Sequence, residues 1–268
     1  MARSRALITG ITGMVGSHLA EYLLKHTDWD VIGMCRWRSP LDNLVNVAGR
    51  INSGDRISLL YGDLRDTMSI QHVVSTAKPD YVFHLAAQSF VPTSWSAPAE
   101  TFHVNATGQI HLFEAIRALG MDPVIQLACS SEEYGMVYPD EVPIKETTPL
   151  RPLSPYAVSK VAQDYLGYQY AMSYGMNIVR TRGFKFANDW SPPIFSWPEA
   201  MVPYEFACSA LRPLALVTRP FRDAAKRRER EHEPELRREV AIPGLEVIHQ
   251  PANHGWIHDA GRSNALLR

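Results

Sequence analysis

The sequence predicts an α/β fold built on a doubly wound parallel sheet, followed by a small, atypical C-terminal segment. Short apolar runs alternate with helical patterns through the first 182 residues. These runs are rich in Val, Ile and Leu throughout, as expected of strands that are buried on both faces of a sheet. Strands that alternate with helices require right-handed crossovers, and the strands are therefore parallel. The first run also ends in a glycine-rich turn that leads directly into a helix.

Six strands and four helices follow from these patterns. The predicted strands cover residues 6–9, 30–35, 57–61, 81–85, 124–128 and 177–180. Helical spacing of apolar residues predicts helices over 17–26, 68–77, 99–119 and 156–174.

Length and charge narrow the class of protein. The chain has 268 residues, with 27 Lys and Arg against 28 Asp and Glu. This length allows one large domain or one domain with a small annex. The balanced charge gives no case for a nucleic-acid or membrane partner.

Cysteine use indicates a reducing compartment. Cys35, Cys129 and Cys208 are odd in number and far apart, which favours neither a disulfide framework nor a structural zinc site. There is no run of 18 apolar residues that would predict a membrane span. We therefore expect a cytoplasmic protein, and we find no pattern of metal ligands.

The glycine-rich turn predicts a dinucleotide site. Its glycines permit a tight turn and a close approach of backbone to a pyrophosphate, and the following helix presents free N–H groups. The strand before it and the amphipathic helix after it are the context that this Rossmann motif requires. The predicted cofactor residues are Gly10, Thr12, Gly13, Met14, Val15 and Gly16.

The end of the second strand indicates which dinucleotide is bound. An acidic residue there favours NAD, whereas arginine accommodates the 2′-phosphate of NADP. This chain has no acid at that point and carries Arg36 and Arg38. The sequence favours NADP over NAD, and the alternative is that both arginines are ordinary surface charges.

Tyr156 and Lys160 form a candidate catalytic pair. They are four residues apart and share one face of a predicted helix. A nearby ammonium lowers the pKa of a phenol, so we expect Tyr156 to act as a base toward an alcohol. Ser130 ends the preceding strand and is placed to hydrogen-bond the reacting oxygen.

Together these motifs resemble the extended short-chain dehydrogenase/reductase family, in its nucleotide-sugar branch. The matching segments are TGITGMVGSHLAEYLL, YGDLRD, VFHLAAQSFV, VNATG, SSEEYG and SPYAVSK, in the family's order. The resemblance implies that Asp63 and Leu64 border the adenine. It further implies a cofactor cleft lined by Leu85, Ala86 and Ala87, with Gln88 and Ser89 near the nicotinamide or sugar. Asn105 is implied to support the central helix and sheet.

Within that branch, the string ACSSEEYG is most similar to the GDP-mannose 4,6-dehydratase family. The resemblance implies that Tyr156 deprotonates the sugar 4-hydroxyl while NADP+ takes the C4 hydride. Glu132 then removes the C5 proton, and Ser131 or Glu132 assists loss of the 6-hydroxyl as water. The hydride returns to C6 and a 4-keto-6-deoxy sugar is formed. The resemblance also implies a homodimer or homotetramer.

Two other functions stay open. Similar SSEEYG strings occur in NADP-dependent reductases of nucleotide 4-keto-sugars, and epimerases share the same fold. An inactive nucleotide-binding protein is the alternative from a different class. Two nearby polar residues have structural interpretations: His84 is expected to be a satisfied core residue, and Glu133 to be solvent-facing or structural.

The last 86 residues differ in character from the rest of the chain. Residues 183–268 carry 9 of the 19 prolines and only 4 of the 16 glycines. Lys185 stands where the family has an asparagine at the start of its substrate loop. We therefore expect residues 1–182 to form the cofactor-binding and catalytic domain and 183–268 to be a divergent or truncated substrate-cap region.

Overall fold

A six-stranded, fully parallel sheet forms the centre of the computed structural model, which describes residues 2–183. Its strand order is β3-β2-β1-β4-β5-β6, the order of a doubly wound dinucleotide-binding fold. The strands are β1 (Arg5–Thr9), β2 (Asp30–Cys35), β3 (Ile57–Tyr61), β4 (Tyr81–His84), β5 (Val124–Ser130) and β6 (Ile178–Gly183). The predicted fold class is confirmed, and all six predicted strands are present within two or three residues of their expected ends.

Seven α-helices connect or flank these strands. They are α1 (Met14–His26), α2 (Ala48–Ser53), α3 (Thr67–Ala77), α4 (Val91–Ser96), α5 (Pro98–Phe102), α6 (Gly108–Ala118) and α7 (Pro155–Tyr174). The predicted helix 99–119 is α5 and α6 joined by a π-helical turn, His103–Thr107. The pattern missed α2, its preceding 3-10 turn Asp42–Val47, and α4, because six residues are too few to display helical periodicity.

Apolar side chains alternate between the two faces of the sheet. In β1, Ala6 and Ile8 face a core with α1, whereas Leu7 faces a second core with α3 and α6. Both layers are fully buried at these positions. This double burial explains why the strands are apolar without alternation.

The strand order brings the carboxyl ends of β1, β2, β4 and β5 to one edge of the sheet. The order reverses between β1 and β4, which makes this edge a topological switch point, where ligands bind in open α/β sheets. The division of the chain at residue 182 stays a prediction, since residues 184–268, including Cys208, lie outside the described residues. Within 2–183, no helix is long and apolar enough to cross a membrane.

Candidate active site

The turn between β1 and α1 forms a cradle that a side chain would fill. Gly10 has φ of +74°, and a Cβ there would lie 2.9 Å from the Ala86 backbone. A Cβ on Gly16 would lie 2.4 Å from the Gly10 carbonyl oxygen. Gly13 is the N-cap of α1 and provides no side-chain cap, which leaves this helix end available to an anion. Gly10, Gly13 and Gly16 therefore fit a dinucleotide pyrophosphate, and Thr12, Met14 and Val15 lie on the same turn.

Thr9 fastens this turn to the neighbouring strand. Its hydroxyl oxygen accepts hydrogen bonds from the backbone N–H groups of Leu85 and Ala86, both at 3.1 Å. It lies 2.9 Å from Nδ1 of His84, which is fully buried. Burial and the charge of Lys160 lower the pKa of His84 to about 3, so this imidazole is neutral. His84 is a core residue, as expected, but it is not fully satisfied, because its Nε2 is buried without a hydrogen-bond partner among residues 2–183. The cleft segment Leu85–Ala87 follows directly.

The candidate adenosine residues line the ends of β2 and β3. Arg36 and Arg38 are both exposed, as a phosphate-binding guanidinium requires. The Asp63 carboxylate forms a 2.7 Å ion pair with Arg65, whose hydrogen bond lowers the pKa of Asp63. Leu64 is buried beneath this segment. Arg36 adds to the lowering of the Asp63 pKa, which puts the two side chains close enough to interact.

Asn105 organises the segment that carries Gln88 and Ser89. Its side chain accepts the Gln88 N–H at 2.8 Å and donates to the Gln88 carbonyl at 3.1 Å and to the Ser159 hydroxyl at 2.9 Å. The Gln88 amide itself binds the backbone of Phe90. Gln88 thus shapes the loop with its side chain, whereas Ser89 is exposed.

Ser130, Tyr156 and Lys160 meet at the end of β5. Ser130 is the last residue of that strand, and Tyr156 lies in the first turn of α7. The hydroxyl of Ser130 is close enough to the Tyr156 phenol to lower its pKa. Lys160 Nζ lies 5.8 Å from the Tyr156 ring centroid and donates to the Ala128 carbonyl at 3.0 Å and Gln163 Oε1 at 2.7 Å. The structure therefore brings the three residues together.

The expected lowering of the Tyr156 pKa is wrong for this arrangement. Burial raises the pKa of Tyr156, the nearby Ser130 hydroxyl lowers it, and the Glu132 carboxylate raises it further. Burial likewise lowers the pKa of Lys160. The nearby ammonium is visible in the sequence, whereas desolvation is not, and desolvation here acts on both partners.

Glu132 and Ser131 lie in a short 3-10 turn, Ser131–Glu133, that follows Ser130. Glu132 is exposed, its N–H donates to the Ser130 hydroxyl at 3.2 Å, and its carboxylate lies 3.5 Å from the Ser154 hydroxyl. Ser131 is partly buried. A carboxylate thus stands beside the Ser130–Tyr156 pair on a separate backbone segment from the tyrosine.

Behind this turn lies a group of charged residues that the sequence analysis missed. Glu133 is completely buried, which excludes the solvent-facing interpretation and leaves the structural one. Asp164 on α7 binds both Arg180 and Arg182 of β6. Cys129, Glu133 and Asp164 have potential cation ligands within 4.8 Å of one another, but the carboxylates are compensated by these arginines. The sequence signal available for Asp164 was its spacing of four residues from Lys160, which places both side chains on one face of α7.

Comparison with known proteins identifies close relatives for this part of the chain. A family model described as GDP-mannose 4,6 dehydratase matches residues 7–195. The GDP-mannose 4,6-dehydratase of Vibrio cholerae is 41% identical over 179 residues, covering 65% of this chain and 47% of the relative. The chain spans about half the length of the curated relatives it matches. The resemblance inferred from the motifs is confirmed.

Solved structures show the same architecture. DesIV, a dTDP-glucose 4,6-dehydratase from Streptomyces venezuelae solved with NAD and TYD, is 27% identical with a TM-score of 0.60. The match covers 66% of this chain and 55% of that one. RMD from Pseudomonas aeruginosa, solved with NADPH, is 27% identical with a TM-score of 0.53, covering 68% and 54% of the two chains.

Proposed function

The chain belongs to the GDP-mannose 4,6-dehydratase family, and on that premise we propose that it acts as an NADP-dependent nucleotide-sugar 4,6-dehydratase. Its substrate is GDP-mannose and its product is the 4-keto-6-deoxy sugar nucleotide. The named relatives support the substrate, and the cofactor is supported by the arginines after β2 and by a structural neighbour solved with NADPH.

The observation that carries the dehydratase assignment is the exposed carboxylate of Glu132 beside the Ser130–Tyr156 pair. Dehydration needs two groups that handle protons: one at the 4-hydroxyl, and one at C5. Tyr156 and Glu132 are two such groups on different segments. Epimerisation and ketone reduction require only the first.

Five side chains have proposed roles in proton transfer, orientation or charge at the reacting sugar. Tyr156 accepts the proton of the 4-hydroxyl, and the Ser130 hydroxyl orients that oxygen. Glu132 removes the proton at C5, which the new ketone acidifies, and Glu132 or Ser131 protonates the departing 6-hydroxyl, which leaves as water. The proton held by Tyr156 then returns to C5 in the product. Lys160, held between Ala128 and Gln163, adds positive charge beside the phenol. NADP, when bound, supplies a reversible hydride acceptor.

Residues at the sheet edge fit this cofactor. Gly10 and Gly16 leave room for the pyrophosphate, and Arg36 and Arg38 offer two guanidinium groups to a 2′-phosphate. NAD is the less favoured cofactor, because the end of β2 has no carboxylate for a 2′-hydroxyl. Leu85, Ala86 and Ala87 border the same cleft.

Incubation of the purified full chain with GDP-mannose and NADP+ tests the proposal. A 4-keto-6-deoxy product without net NADPH accumulation supports the dehydratase. In Glu132→Gln, we expect product formation to fall by about 100-fold or more while some NADPH forms, because C5 deprotonation is blocked after oxidation. Asp28→Asn, which changes an exposed acid after α1, is the matched control and should retain wild-type turnover. Unchanged product formation in Glu132→Gln would reject the mechanism.

A reductase of nucleotide 4-keto-sugars is the second candidate. The likeness to RMD, which was solved with NADPH, favours it specifically. Consumption of NADPH with a GDP-4-keto-6-deoxy sugar, and no reaction with GDP-mannose, would assign this activity. Interconversion of sugar epimers would assign an epimerase, and cofactor binding without any turnover would assign an inactive nucleotide-binding protein.

We also propose a homodimer formed through α7 and α5. Val158, Tyr165 and Met172 recur every seven residues along α7 and are 43%, 58% and 42% exposed. Phe102 at the end of α5 is also exposed. Such an apolar stripe is typical of a helix that packs against another helix. Sedimentation analysis of the full chain distinguishes monomer, dimer and tetramer.

The reduced, buried Cys35 and Cys129 are compatible with a cytoplasmic location.

A further inference from the structure

Glu133 supports the catalytic turn from behind. Its Oε1 accepts the backbone N–H of Ser130 at 2.8 Å, and the Ser130 hydroxyl oxygen accepts the N–H of Glu132 at 3.2 Å. These two bonds form a capping box around the 3-10 turn. The buried Glu133 therefore fixes the backbone that carries both Ser130 and Glu132, although its own side chain has no contact with solvent.

Arg182 joins this turn to the helix that carries the tyrosine. Its Nε lies 3.3 Å from Glu133 Oε2 and 2.7 Å from Asp164 Oδ2. It also donates to the Tyr134 hydroxyl at 3.1 Å and the Glu146 carbonyl at 2.9 Å. Asp164 is on α7, four and eight residues after Lys160 and Tyr156, and therefore on a neighbouring part of the same helix face. Arg182 thus lies between the carboxylates of the two catalytic segments: it donates a hydrogen bond to Asp164 and is at ion-pair distance from Glu133, whose Oε2 has no hydrogen-bond partner in the described part of the chain.

We propose that Glu133 is a positioning residue that, through the Ser130 backbone and the Arg182–Asp164 ion pair, holds the Ser130 hydroxyl and Glu132 carboxylate in register with the Tyr156 phenol. Its kinetic consequences rest on the proposed function. Glu133 performs no chemistry itself, because it is completely buried and touches only protein groups. Ion pairs that are removed from water hold geometry tightly, since breaking one leaves a buried charge without a partner.

The charge of Glu133 also acts on the tyrosine. Burial raises the pKa of Glu133 to about 7, so its charge changes within the physiological range. Ionised Glu133 raises the pKa of Tyr156. The titratable and charged groups that interact with Glu133 are Cys129 of β5, Tyr156, Lys160 and Asp164 of α7, and Arg182 of β6. Replacing the Glu133 carboxylate with a neutral amide, which keeps the accepting oxygen, should therefore lower the pKa of Tyr156. Tyr156 would then act as a base at lower pH.

Two variants separate the hydrogen bond from the charge. Glu133→Gln keeps an acceptor for Ser130, so we expect its maximal kcat within about 3-fold of wild type and the acidic limb of its pH profile moved to lower pH. Glu133→Leu removes the acceptor, and we expect kcat to fall by about 30-fold or more with a nearly unchanged KM for GDP-mannose. Glu114→Gln, in an acid on α6 that binds Arg117 and Tyr170, is the matched control. Wild-type kcat in Glu133→Leu would overturn the positioning role, and an unshifted pH profile in Glu133→Gln would overturn the effect of the Glu133 charge on Tyr156.

A readout that does not depend on turnover separates this inference from the proposed function. In the full chain labelled with 15N-serine, the Ser130 amide signal, assigned by its loss in Ser130→Ala, should titrate with a midpoint near pH 7. The titration should vanish in Glu133→Gln and persist in Glu114→Gln. If wild type shows this titration but does not turn over GDP-mannose, the proposed function fails and the positioning contact stands. A Ser130 amide signal that has the same chemical shift in Glu133→Leu as in wild type overturns the positioning role, because the Glu133 carboxylate would then not accept this N–H.

Discussion

The proposed nucleotide end of this site (the β1–α1 turn) and its proposed catalytic end (the end of β5) are built by different means. Between β1 and α1, the shape depends on backbone, since Gly10 and Gly16 leave space that any Cβ would occupy. At the end of β5, the shape depends on buried charges, with Glu133 and Arg182 holding Ser130 against α7. The β1–α1 turn therefore depends on the absence of side chains, whereas the end of β5 depends on a balance of charge among buried side chains. Each region should therefore fail in its own way when it is changed.

The largest expected effect is at the catalytic end. Tyr156→Phe removes the phenolic oxygen and should lower formation of the 4-keto product by about 10³-fold, because proton transfer of this kind contributes 10²–10⁴-fold. The ring remains, so NADP+ affinity measured by calorimetry should stay within about 3-fold of wild type. Turnover near the wild-type rate would remove Tyr156 from the assigned role.

At the nucleotide end, adding a side-chain atom should be harmful, whereas at the catalytic end the harm comes from removing a functional group. A Cβ on Gly16 would collide with the Gly10 carbonyl, so Gly16→Ala should weaken NADP+ binding by about 10-fold or more and destabilise the fold by about 1–3 kcal/mol. Gly49 in α2 has nothing within 4 Å of the same position. Gly49→Ala should therefore stabilise the protein by about 0.5–1 kcal/mol without changing affinity. Equal effects of the two changes, by calorimetry and thermal melts, would contradict the backbone argument.

Cofactor choice provides a smaller test of the nucleotide end. Arg36→Ala removes a guanidinium group from the proposed 2′-phosphate site and should weaken NADP+ binding by about 10-fold while NAD+ binding changes little. Arg50→Ala, in an exposed arginine paired with Asp55, is the control and should leave both affinities unchanged. Equal weakening of NADP+ and NAD+ in Arg36→Ala would assign Arg36 to another part of the nucleotide.

The smallest expected effect concerns charge at the catalytic end. Burial raises the pKa of Glu133 from 4.5 to about 7 in the folded state, so the folded protein holds this proton more tightly than the unfolded chain. Its contribution to stability is complete below pH 4.5 and is lost as pH rises toward 7. The stability of wild type relative to Glu133→Gln should therefore fall by about 1–3 kcal/mol between pH 5 and 8, measured by urea unfolding.

The contribution of His84 to stability has the opposite dependence on pH, and His84 is present in both wild type and Glu133→Gln. Burial lowers its pKa from 6.5 to about 3, so its contribution is present above pH 6.5 and is lost as pH falls toward 3. Taking the difference between wild type and Glu133→Gln cancels this term. A pH-independent difference would show that Glu133 does not titrate in this range.

The sequence by itself determined the fold class, the six strands and the position of the nucleotide turn. Those features depend on local patterns: apolar runs, helical spacing and glycines at a strand end, as in Gly10 and Gly16. It also supplied the catalytic candidates Tyr156 and Lys160 by their four-residue spacing. Short helices such as α4 could not be predicted in this way, because six residues are too few to show helical periodicity.

Only the tertiary structure decided the electrostatics. Burial, which no local pattern reports, raises the pKa of Tyr156 where the sequence predicted a decrease. Glu133 and Arg182 are 49 residues apart in the chain, and their 3.3 Å ion pair exists because β5 and β6 are neighbours in the sheet. Charge interactions depend on distance and on exclusion of water, and both are set only when the chain has folded.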